Sequence, residues 1–223
     1  MKSPLAPMVV AILAGALACP AAADEAAPPA EKAVAFTLGA RASVAFPMGS
    51  ILSDSQNGDL RIDELVALSI PLQLDAGVTL HGRWFVGAYV QYAWSVLQLG
   101  GCKVGESCSV TGVRAGVQAT WSLRPRGGPW VGLGTGYEWM FTSYSGPGFD
   151  TRVDVGGWEW AIVQLGWDVE LSPGWKVGPW ASGSVGEFSR DTVWEAGKPT
   201  QSSIPNKAVH GWLQLGVKGS FTL

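Results

Sequence analysis

Charged residues are scarce in this chain. Only 15% of its 223 residues are Asp, Glu, Lys or Arg, whereas an average soluble protein has about 25%. The net charge of −3 offers no basic surface for nucleic acid. Long apolar runs are missing too, because no stretch after the N-terminal residues reaches the roughly 18 apolar residues of a membrane-spanning helix. The composition therefore disfavours a nucleic-acid-binding protein and a helical membrane protein.

Cysteine and histidine are also few, with 3 and 2 residues respectively. Cys102 and Cys108 stand close together in a Gly-rich stretch. A metal site needs more ligands than this pair supplies, so neither a metal nor another cofactor is expected. An exported protein meets oxidising conditions, which favour a disulfide between the two cysteines.

The N-terminal residues have the features of an export signal. Lys2 gives a positive start, residues 9–17 form a short apolar core, and residues 21–23 are three alanines that suit signal cleavage. Lipidation at Cys19 is the alternative. We predict a signal peptide at residues 1–23.

Two further segments follow the predicted cleavage site. Residues 24–33 are expected to form a short periplasmic N-terminal segment, and residues 34–223 are expected to form one domain. This domain is rich in glycine and tryptophan, with 30 and 12 residues in the whole chain.

Regular alternation takes the place of the missing apolar runs. From Val66 to Leu80 every even position is apolar, whereas the odd positions include Gln73 and Asp75. Period-two alternation indicates a β-strand with one apolar face and one polar or small face. Soluble sheets have strands of about 5–6 residues, whereas a strand that crosses a bilayer needs about 9–11. The length of this segment therefore favours a membrane-spanning β-barrel.

Eight segments show this pattern, and the connectors between them are alternately long and short. Short periplasmic turns and long outer loops are typical of outer-membrane barrels. We therefore predict an all-β fold, an eight-stranded antiparallel up-and-down transmembrane β-barrel with both termini on the short-turn side. The segments are residues 34–46, 65–80, 84–97, 110–123, 130–143, 158–171, 176–188 and 209–223.

A water-soluble barrel of the lipocalin type would also alternate. Its outer face would be roughly 25–35% charged, but the polar face here carries few charges and many Gly, Ser, Thr and Gln residues. The other face is nearly free of charge. The membrane barrel is the better interpretation.

Tryptophans near the strand ends are expected to form two aromatic girdles at the bilayer interfaces. One group lies at the short-turn end and the other at the long-loop end. They are Trp84, Trp121, Trp130 and Trp175, and Trp94, Trp139, Trp158, Trp160 and Trp212.

If the apolar face meets lipid, the polar face lines the lumen. An eight-stranded barrel is only just wide enough for its own side chains, so charges inside it should be paired. Two interpretations stay open: the charges plug the barrel, or they line a narrow, gated pore. The predicted lumen-lining residues are Arg41, Gln73, Asp75, Gln91, Arg114, Gln118, Glu138, Gln164, Asp168, Glu170, Gln214 and Lys218.

Three stretches carry a family resemblance: residues 70–77 (IPLQLDAG), 129–139 (PWVGLGTGYEW) and 213–223 (LQLGVKGSFTL). The chain resembles small eight-stranded outer-membrane β-barrel proteins of Gram-negative bacteria, the OmpA/OmpW-like class. The resemblance implies an outer-membrane location and contact with membrane lipid and lipopolysaccharide. It also implies insertion by the outer-membrane assembly machinery, which reads the final strand. Here that strand ends in Leu223 where the class commonly has an aromatic residue.

The sequence carries little evidence for an enzyme. A lipid-facing His-x-Ser pair at His210 would need serine at position 212, where Trp212 stands. We therefore expect His210 to be an ordinary surface residue and expect no catalytic residues. Ser-His-Asp chemistry also requires a mutual geometry that no spacing here implies.

The predicted function is that of a non-enzymatic barrel, structural or porin-like, that passes or binds small molecules through its lumen and outer loops. The alternative is surface recognition by the long loops, especially residues 189–208 with Trp194. A lipid-directed hydrolase that uses His210 is a weaker alternative.

Overall fold

The computed structural model describes residues 33–52, 60–98, 107–195 and 198–223. Nearly all of them lie in strands, in the order β1 (Val34–Leu52), β2 (Leu60–Arg61), α1 (Ile62–Leu65), β3 (Val66–Leu80), β4 (Trp84–Leu97), β5 (Ser107–Ser122), β6 (Gly127–Gly146), β7 (Phe149–Ser172), β8 (Trp175–Glu195), β9 (Lys198–Ser203) and β10 (Val209–Thr222). Among the described residues, no helix is long and apolar enough to cross a membrane.

Eight long strands close into a ring. β1 and β3 to β8 pair in antiparallel order, each with the next along the chain. β10 pairs with β1 on one side and with β8 on the other. Ring closure leaves the barrel strands without a free edge, which a sheet in hydrocarbon requires because lipid cannot bond to open backbone groups. The predicted eight-stranded up-and-down barrel is confirmed.

The apolar face of the barrel points outward. In β3, the side chains of Leu72 and Leu74 are exposed, whereas those of Gln73 and Asp75 are buried. The same alternation continues in the neighbouring strand, where Val90 is exposed and Gln91 is buried. Burial inside a ring of strands thus falls on the polar positions, the reverse of a soluble barrel.

The strands at the long-loop end are longer than predicted. Residues 144–157 were expected to form a loop, but β6 and β7 continue through them to a two-residue turn at residues 147–148. The expected loop at residues 189–208 likewise contains the end of β8 and all of β9. In the β7 part of the first hairpin, Val153 and Val155 line a cavity instead of facing outward. The outward apolar face that identified the other strand segments is therefore missing there, although backbone pairing continues.

Two other predictions fall on residues outside the described ranges. The signal peptide at residues 1–23 and most of the segment at residues 24–33 lie there, as does Cys102. The predicted cleavage and the predicted disulfide between Cys102 and Cys108 therefore stay predictions.

Glycines make room for a large side chain within the lumen. Tyr89 is only 6% exposed and lies against Gly116 and Gly136 on the next two strands. A Cβ atom at Gly136 would overlap the Tyr89 hydroxyl oxygen and would stand 2.7 Å from the carbonyl oxygen of Ala115. Gly183, by contrast, has no atom of the described residues, apart from its own chain neighbours, within 4 Å of the place its Cβ would occupy.

This contrast predicts the effect of two matched substitutions. Gly136→Ala should lower the free energy of unfolding by about 1–3 kcal/mol, because the extra methyl group overpacks the lumen. Gly183→Ala should change it by less than about 0.5 kcal/mol, as is usual where a substitution meets no neighbouring atom. Urea unfolding of the folded barrel in lipid vesicles measures both. Equal unfolding midpoints for the two variants would show that the contact with Tyr89 is not tight.

Candidate functional site

A hydrogen-bonded cluster, here called the central layer, crosses the middle of the lumen. Arg41 donates from Nε to Asp75 Oδ2 at 2.7 Å, from Nη1 to Gln164 Oε1 at 2.6 Å and from Nη2 to Gln118 Oε1 at 3.2 Å. Gln118 and Gln73 each donate from Nε2 to Asp75 Oδ1 at 2.7 Å. All five side chains are buried. The layer therefore joins strands on opposite walls of the barrel.

A second charged cluster, the outer layer, lies toward the long-loop end. Arg114 Nη2 donates to Glu138 Oε1 at 2.9 Å, and Nη1 lies 3.4 Å from Glu159 Oε1. His210 Nε2 lies 3.0 Å from Glu138 Oε2, and the imidazole ring stacks on Phe188 with 4.0 Å between ring centres. These four ionisable side chains are buried. One guanidinium thus holds two carboxylates, and a histidine shares one of them.

A third cluster, the lower layer, lies toward the short-turn end. Trp130 Nε1 donates to Asp168 Oδ1 at 2.9 Å, and Lys218 Nζ donates to Asp168 Oδ2 at 3.1 Å. The Lys218 ammonium also lies 4.5 Å from the centre of the Trp130 ring, within reach of a cation–π interaction. Asp168 therefore has a partner at each carboxylate oxygen.

The three layers fill the middle of the lumen. Two cavities beside the outer and central layers each hold about 10 Å³, which is roughly the room that one water molecule needs. A charge taken from water into such a space costs several kcal/mol unless it is paired and hydrogen-bonded. The pairing of these side chains is thus a condition for the barrel to fold.

Most of the predicted lumen-lining residues lie in this interior. Lys218 is partly buried at the lower layer, and Glu170 is partly exposed near the short-turn end, opposite Lys176 in the register of β7 and β8. The other ten are buried: Arg41, Gln73, Asp75, Gln91, Arg114, Gln118, Glu138, Gln164, Asp168 and Gln214.

The prediction for two tryptophans was wrong. Trp130 and Trp212 were expected in the aromatic girdles, but they are 1% and 4% exposed and lie inside the barrel. Each has the same parity along its strand as a lumen residue, Glu138 in β6 and Gln214 in β10. Inside, their ring faces contact cations, as Trp212 does with Arg114 at 4.9 Å. The other predicted girdle residues are exposed: Trp84, Trp94, Trp121, Trp139, Trp158, Trp160 and Trp175.

The prediction for His210 was also wrong. It was expected at the surface, but it is 2% exposed. His210 pairs with Gly186 on β8 and with Gly49 on β1, and its place in the alternation of β10 directs the imidazole into the lumen. His210 and Gln214 are both even-numbered positions of β10, and the even positions face the lumen. The alternation of β10 could therefore have predicted the buried position of His210.

Glu159 is a site residue that the sequence analysis missed. The register between β7 and β8 shifts between Glu159 and Ala161, which reverses the inward parity of β7 at that point. As a result Trp158 and Trp160 both face outward, and Glu159 between them is 1% exposed. Two lipid-facing tryptophans around a glutamate were the available signal.

Apolar side chains cover the outer layer on the long-loop side. Ile62 of α1, Val66, Phe188 and Ile204 are among the buried members of one cluster, here called the apolar cap. α1 itself begins beside a surface ion pair. Arg61 donates to both carboxylate oxygens of Asp63, at 3.0 and 2.8 Å, and these hydrogen bonds lower the pKa of Asp63.

A larger space, the outer cavity, opens next to the apolar cap and has a volume of about 330 Å³. Its polar lining residues are Thr142, Tyr144, Asp191 and Ser202, and Asp191 accepts a hydrogen bond from the Ser202 hydroxyl. The remaining lining is apolar and comes from β1, β2, α1, β6, β7 and the segment after β9: Ile51, Leu60, Leu65, Met140, Val153, Val155, Ile204 and Pro205.

Comparison with known proteins agrees with this architecture. Residues 70–223 match the model of the autotransporter beta-domain. The chain belongs to the autotransporter beta-domain family. No curated protein sequence matches it. Together with the lipid-facing surface, membership of this family confirms the predicted class, a small Gram-negative outer-membrane barrel, and the predicted outer-membrane location.

Several solved structures resemble this autotransporter beta-domain. A major outer membrane protein from Thermus thermophilus is 15% identical and superposes with a TM-score of 0.51, covering 85% of this chain and 100% of its own. The outer membrane protein AlkL is 16% identical, with a TM-score of 0.47 and coverage of 91% and 96%. The attachment invasion locus protein of Yersinia pestis is 9% identical, with a TM-score of 0.42 and coverage of 84% and 97%. At 15% identity, the similarity to the Thermus thermophilus protein concerns the fold alone.

The described part of the chain contains no group of three or more His, Cys, Asp or Glu side chains that could hold a metal ion. The carboxylates of Asp75, Glu138 and Asp168 are instead hydrogen-bonded to arginine, lysine, glutamine, histidine or tryptophan. The Glu159 carboxylate lies 3.4 Å from Arg114 but accepts no hydrogen bond within the described part of the chain. The acidic groups of the three layers thus serve as partners of cations within the protein.

The outer layer predicts a large effect for one substitution in this beta-domain. Arg114→Met should lower the free energy of unfolding by about 3–5 kcal/mol, because it leaves Glu138 and Glu159 as buried charges without their cation. Arg152→Met is the matched control: it removes an exposed ion pair with Asp154, at 2.6 Å, and should cost less than about 1 kcal/mol.

Urea unfolding in lipid vesicles measures both variants. The account of the outer layer fails if Arg114→Met and Arg152→Met unfold at the same urea concentration.

Proposed function

We propose that this protein is a non-enzymatic outer-membrane barrel that binds a small apolar molecule at its outer end and does not pass solutes through its lumen. The proposal rests on the difference between the charged middle of the barrel and its apolar outer end. Paired charges fill the middle, whereas the outer cavity of about 330 Å³ has a mainly apolar lining. Since outer-membrane barrels have their long loops outside the cell, the outer cavity faces the environment.

The filled lumen supports the part of the proposal that concerns passage. A solute would have to separate Arg41 from Asp75 and Arg114 from Glu138, and each separation would leave buried charges unpaired. The rings of Trp130 and Trp180 also flank the Arg41 guanidinium, with centres 5.8 and 5.0 Å away. Of the two interpretations that the sequence left open, the plug is therefore the one we adopt.

The size of the outer cavity indicates the size of its ligand. A cavity of about 150 Å³ is known to hold benzene, and ligand sites begin near roughly 300 Å³. The outer cavity therefore suits a molecule of roughly two fused rings or a chain of similar volume. Each buried methylene group should contribute about 0.8 kcal/mol, which is about a fourfold gain in affinity.

The polar lining indicates the chemistry of the ligand. The hydroxyl groups of Thr142 and Tyr144 can bond to one polar group of a ligand, such as a hydroxyl. The Asp191 carboxylate is already bonded to Ser202 and would repel an anion. A neutral, mainly apolar molecule with at most one hydroxyl group fits these constraints.

The surroundings of His210 support a role without catalysis. Its imidazole bonds to Glu138 and stacks on Phe188, beneath the apolar cap. Position 212 holds a buried tryptophan rather than a serine. A general base must come within hydrogen-bond reach of its substrate, and a lipid outside the barrel is separated from His210 by the barrel wall.

Surface recognition is a second candidate, favoured by the sheet that extends above the barrel. All six residues of β9 are exposed, and Trp194 on β8 donates to Asp154 Oδ2 at 3.0 Å, which ties β8 to β7. Lys198 and Pro199 lie on β9, and such residues discourage pairing with a further strand. Recognition would therefore use side chains of β9, apart from the outer cavity.

Methyl NMR of the barrel in lipid nanodiscs tests the proposed function. Met140 lines the outer cavity, whereas Met48 is 47% exposed on the lipid-facing surface, so ¹³C-methyl methionine labels the site and an internal control together. Titration with 1-naphthol should shift the Met140 signal to saturation and leave Met48 in place. In a series of 1-alkanols, affinity should rise about fourfold per methylene group until the cavity is full.

Two variants on β7 serve as matched partners in this titration. Val153→Trp fills the outer cavity and should weaken binding at least tenfold. Val163→Trp places the same side chain on the lipid-facing surface, where Val163 is 54% exposed, and should leave binding unchanged. If Met140 and Met48 shift in parallel without saturation, the probe only partitions into lipid and the proposed function is wrong.

A further inference from the structure

A second cavity, here called the inner cavity, lies at the short-turn end of the lumen and has a volume of about 40 Å³. It lies below the central and lower layers, on the side of the barrel opposite the outer cavity. Short turns of outer-membrane barrels face the periplasm, so the inner cavity is a periplasmic feature.

Hydroxyl groups and cations dominate the lining of the inner cavity. Thr37 Oγ1 lies 2.7 Å from Thr79 Oγ1 and 3.0 Å from Thr222 Oγ1. Thr120, Ser122 and Ser220 add three more hydroxyl groups. A hydroxyl group rotates to donate or accept, so this set can present several donors to one ligand.

The charges that line the inner cavity do not cancel. Four cations, Arg41, Arg83, Lys176 and Lys218, meet only two carboxylates, Asp75 and Asp168. Four positive and two negative charges leave a formal excess of +2.

Two of these cations account for the excess. Asp75 is already held by Arg41, and Asp168 by Lys218. Lys176 Nζ donates to the backbone oxygen of Pro125 at 2.6 Å. Glu170 stands opposite Lys176 in the register of β7 and β8 but does not line the cavity, and Lys176 forms no ion pair within the described part of the chain. Arg83 is exposed and forms no ion pair with another residue in the described part of the chain.

We propose that the inner cavity is a binding site for a phosphate-type oxyanion. Arg83 and Lys176 would supply the charge, and the threonine and serine hydroxyls would supply further hydrogen bonds. Arginine and lysine are the residues that proteins use for phosphate. The volume admits one anionic group of a few atoms but not the body of a large molecule. The anion could be free in the periplasm or carried by a lipid headgroup, and the chemistry of the site is the same in both cases.

This inference is independent of the proposed function at the outer end. A barrel that fails to bind 1-naphthol could still bind phosphate, and the reverse also holds. The two cavities are separated by the central layer. Their tests can therefore fail separately.

Calorimetric titration of the folded, full-length barrel with inorganic phosphate, in an uncharged detergent, tests the site. The wild type should bind with a saturable signal. Arg83→Met should weaken binding at least tenfold, and because Arg83 is exposed, this variant should fold normally. Lys176→Met should weaken it to a similar degree.

Arg124→Met is the control, since Arg124 is a cation of the adjacent short turn that does not line the inner cavity. It should leave phosphate binding unchanged. Equal weakening by Arg124→Met and Arg83→Met would mean that phosphate responds to a diffuse basic surface, and the proposed site would be wrong.

A second arm separates the two sources of the anion. The choline group of phosphatidylcholine neutralises its phosphate, whereas phosphatidylglycerol is anionic. Replacement of the first lipid by the second in vesicles should therefore raise the urea midpoint of the wild type but not of Arg83→Met if the site takes the phosphate of an anionic lipid. Such a result without binding of inorganic phosphate would assign the site to lipid. Absence of both effects would overturn the proposal.

Discussion

The rest of this structure depends on the arginine at the centre of the lumen. Arg41 projects from β1 and bonds to residues of β3, β5 and β7, so one guanidinium connects walls that are far apart in the sequence. A charge in this place must be paired, because water cannot reach it in bulk. Asp75 supplies the opposite charge, and Gln118 and Gln164 accept the remaining hydrogen bonds of the guanidinium.

Filling the middle of the barrel separates its two ends. On the outer side, the apolar cap and outer cavity present mainly carbon surfaces. On the inner side, the hydroxyl groups line the same cavity as Arg83 and Lys176, two cations that form no ion pair within the described part of the chain. The barrel therefore has a mainly apolar cavity at its outer end and a polar, cationic cavity at its periplasmic end.

The sequence predicted the barrel because one physical rule governs each spanning strand. Lipid on one side and a narrow lumen on the other force alternation, and Gln73 and Asp75 among apolar residues show it clearly. The rule failed where its conditions changed. Trp130 and Trp212 are aromatic, so they were assigned to the interface although their parity pointed inward. The register shift at Glu159 reversed the parity of β7, and the two tryptophans on either side of that glutamate were its trace in the sequence.

The parts built from contacts between distant segments could not be predicted in this way. The apolar cap unites α1 with Ile204, and the outer cavity draws its lining from strands near both ends of the chain. There the alternation weakens, and polar residues occupy both faces of β8 and β9. Sequence pattern gives the direction of a side chain along a strand, but the partner across the lumen depends on closure of the ring and its register.

Electrical recording in planar lipid bilayers tests most directly whether the paired charges close the lumen. Folded protein, confirmed by a shift in gel migration on heating, would be inserted and held at constant voltage in potassium chloride. We expect no steady conductance steps, because ions cannot pass Arg41 and Arg114 while these remain paired. A stable, ohmic channel formed by the wild-type barrel would contradict the account.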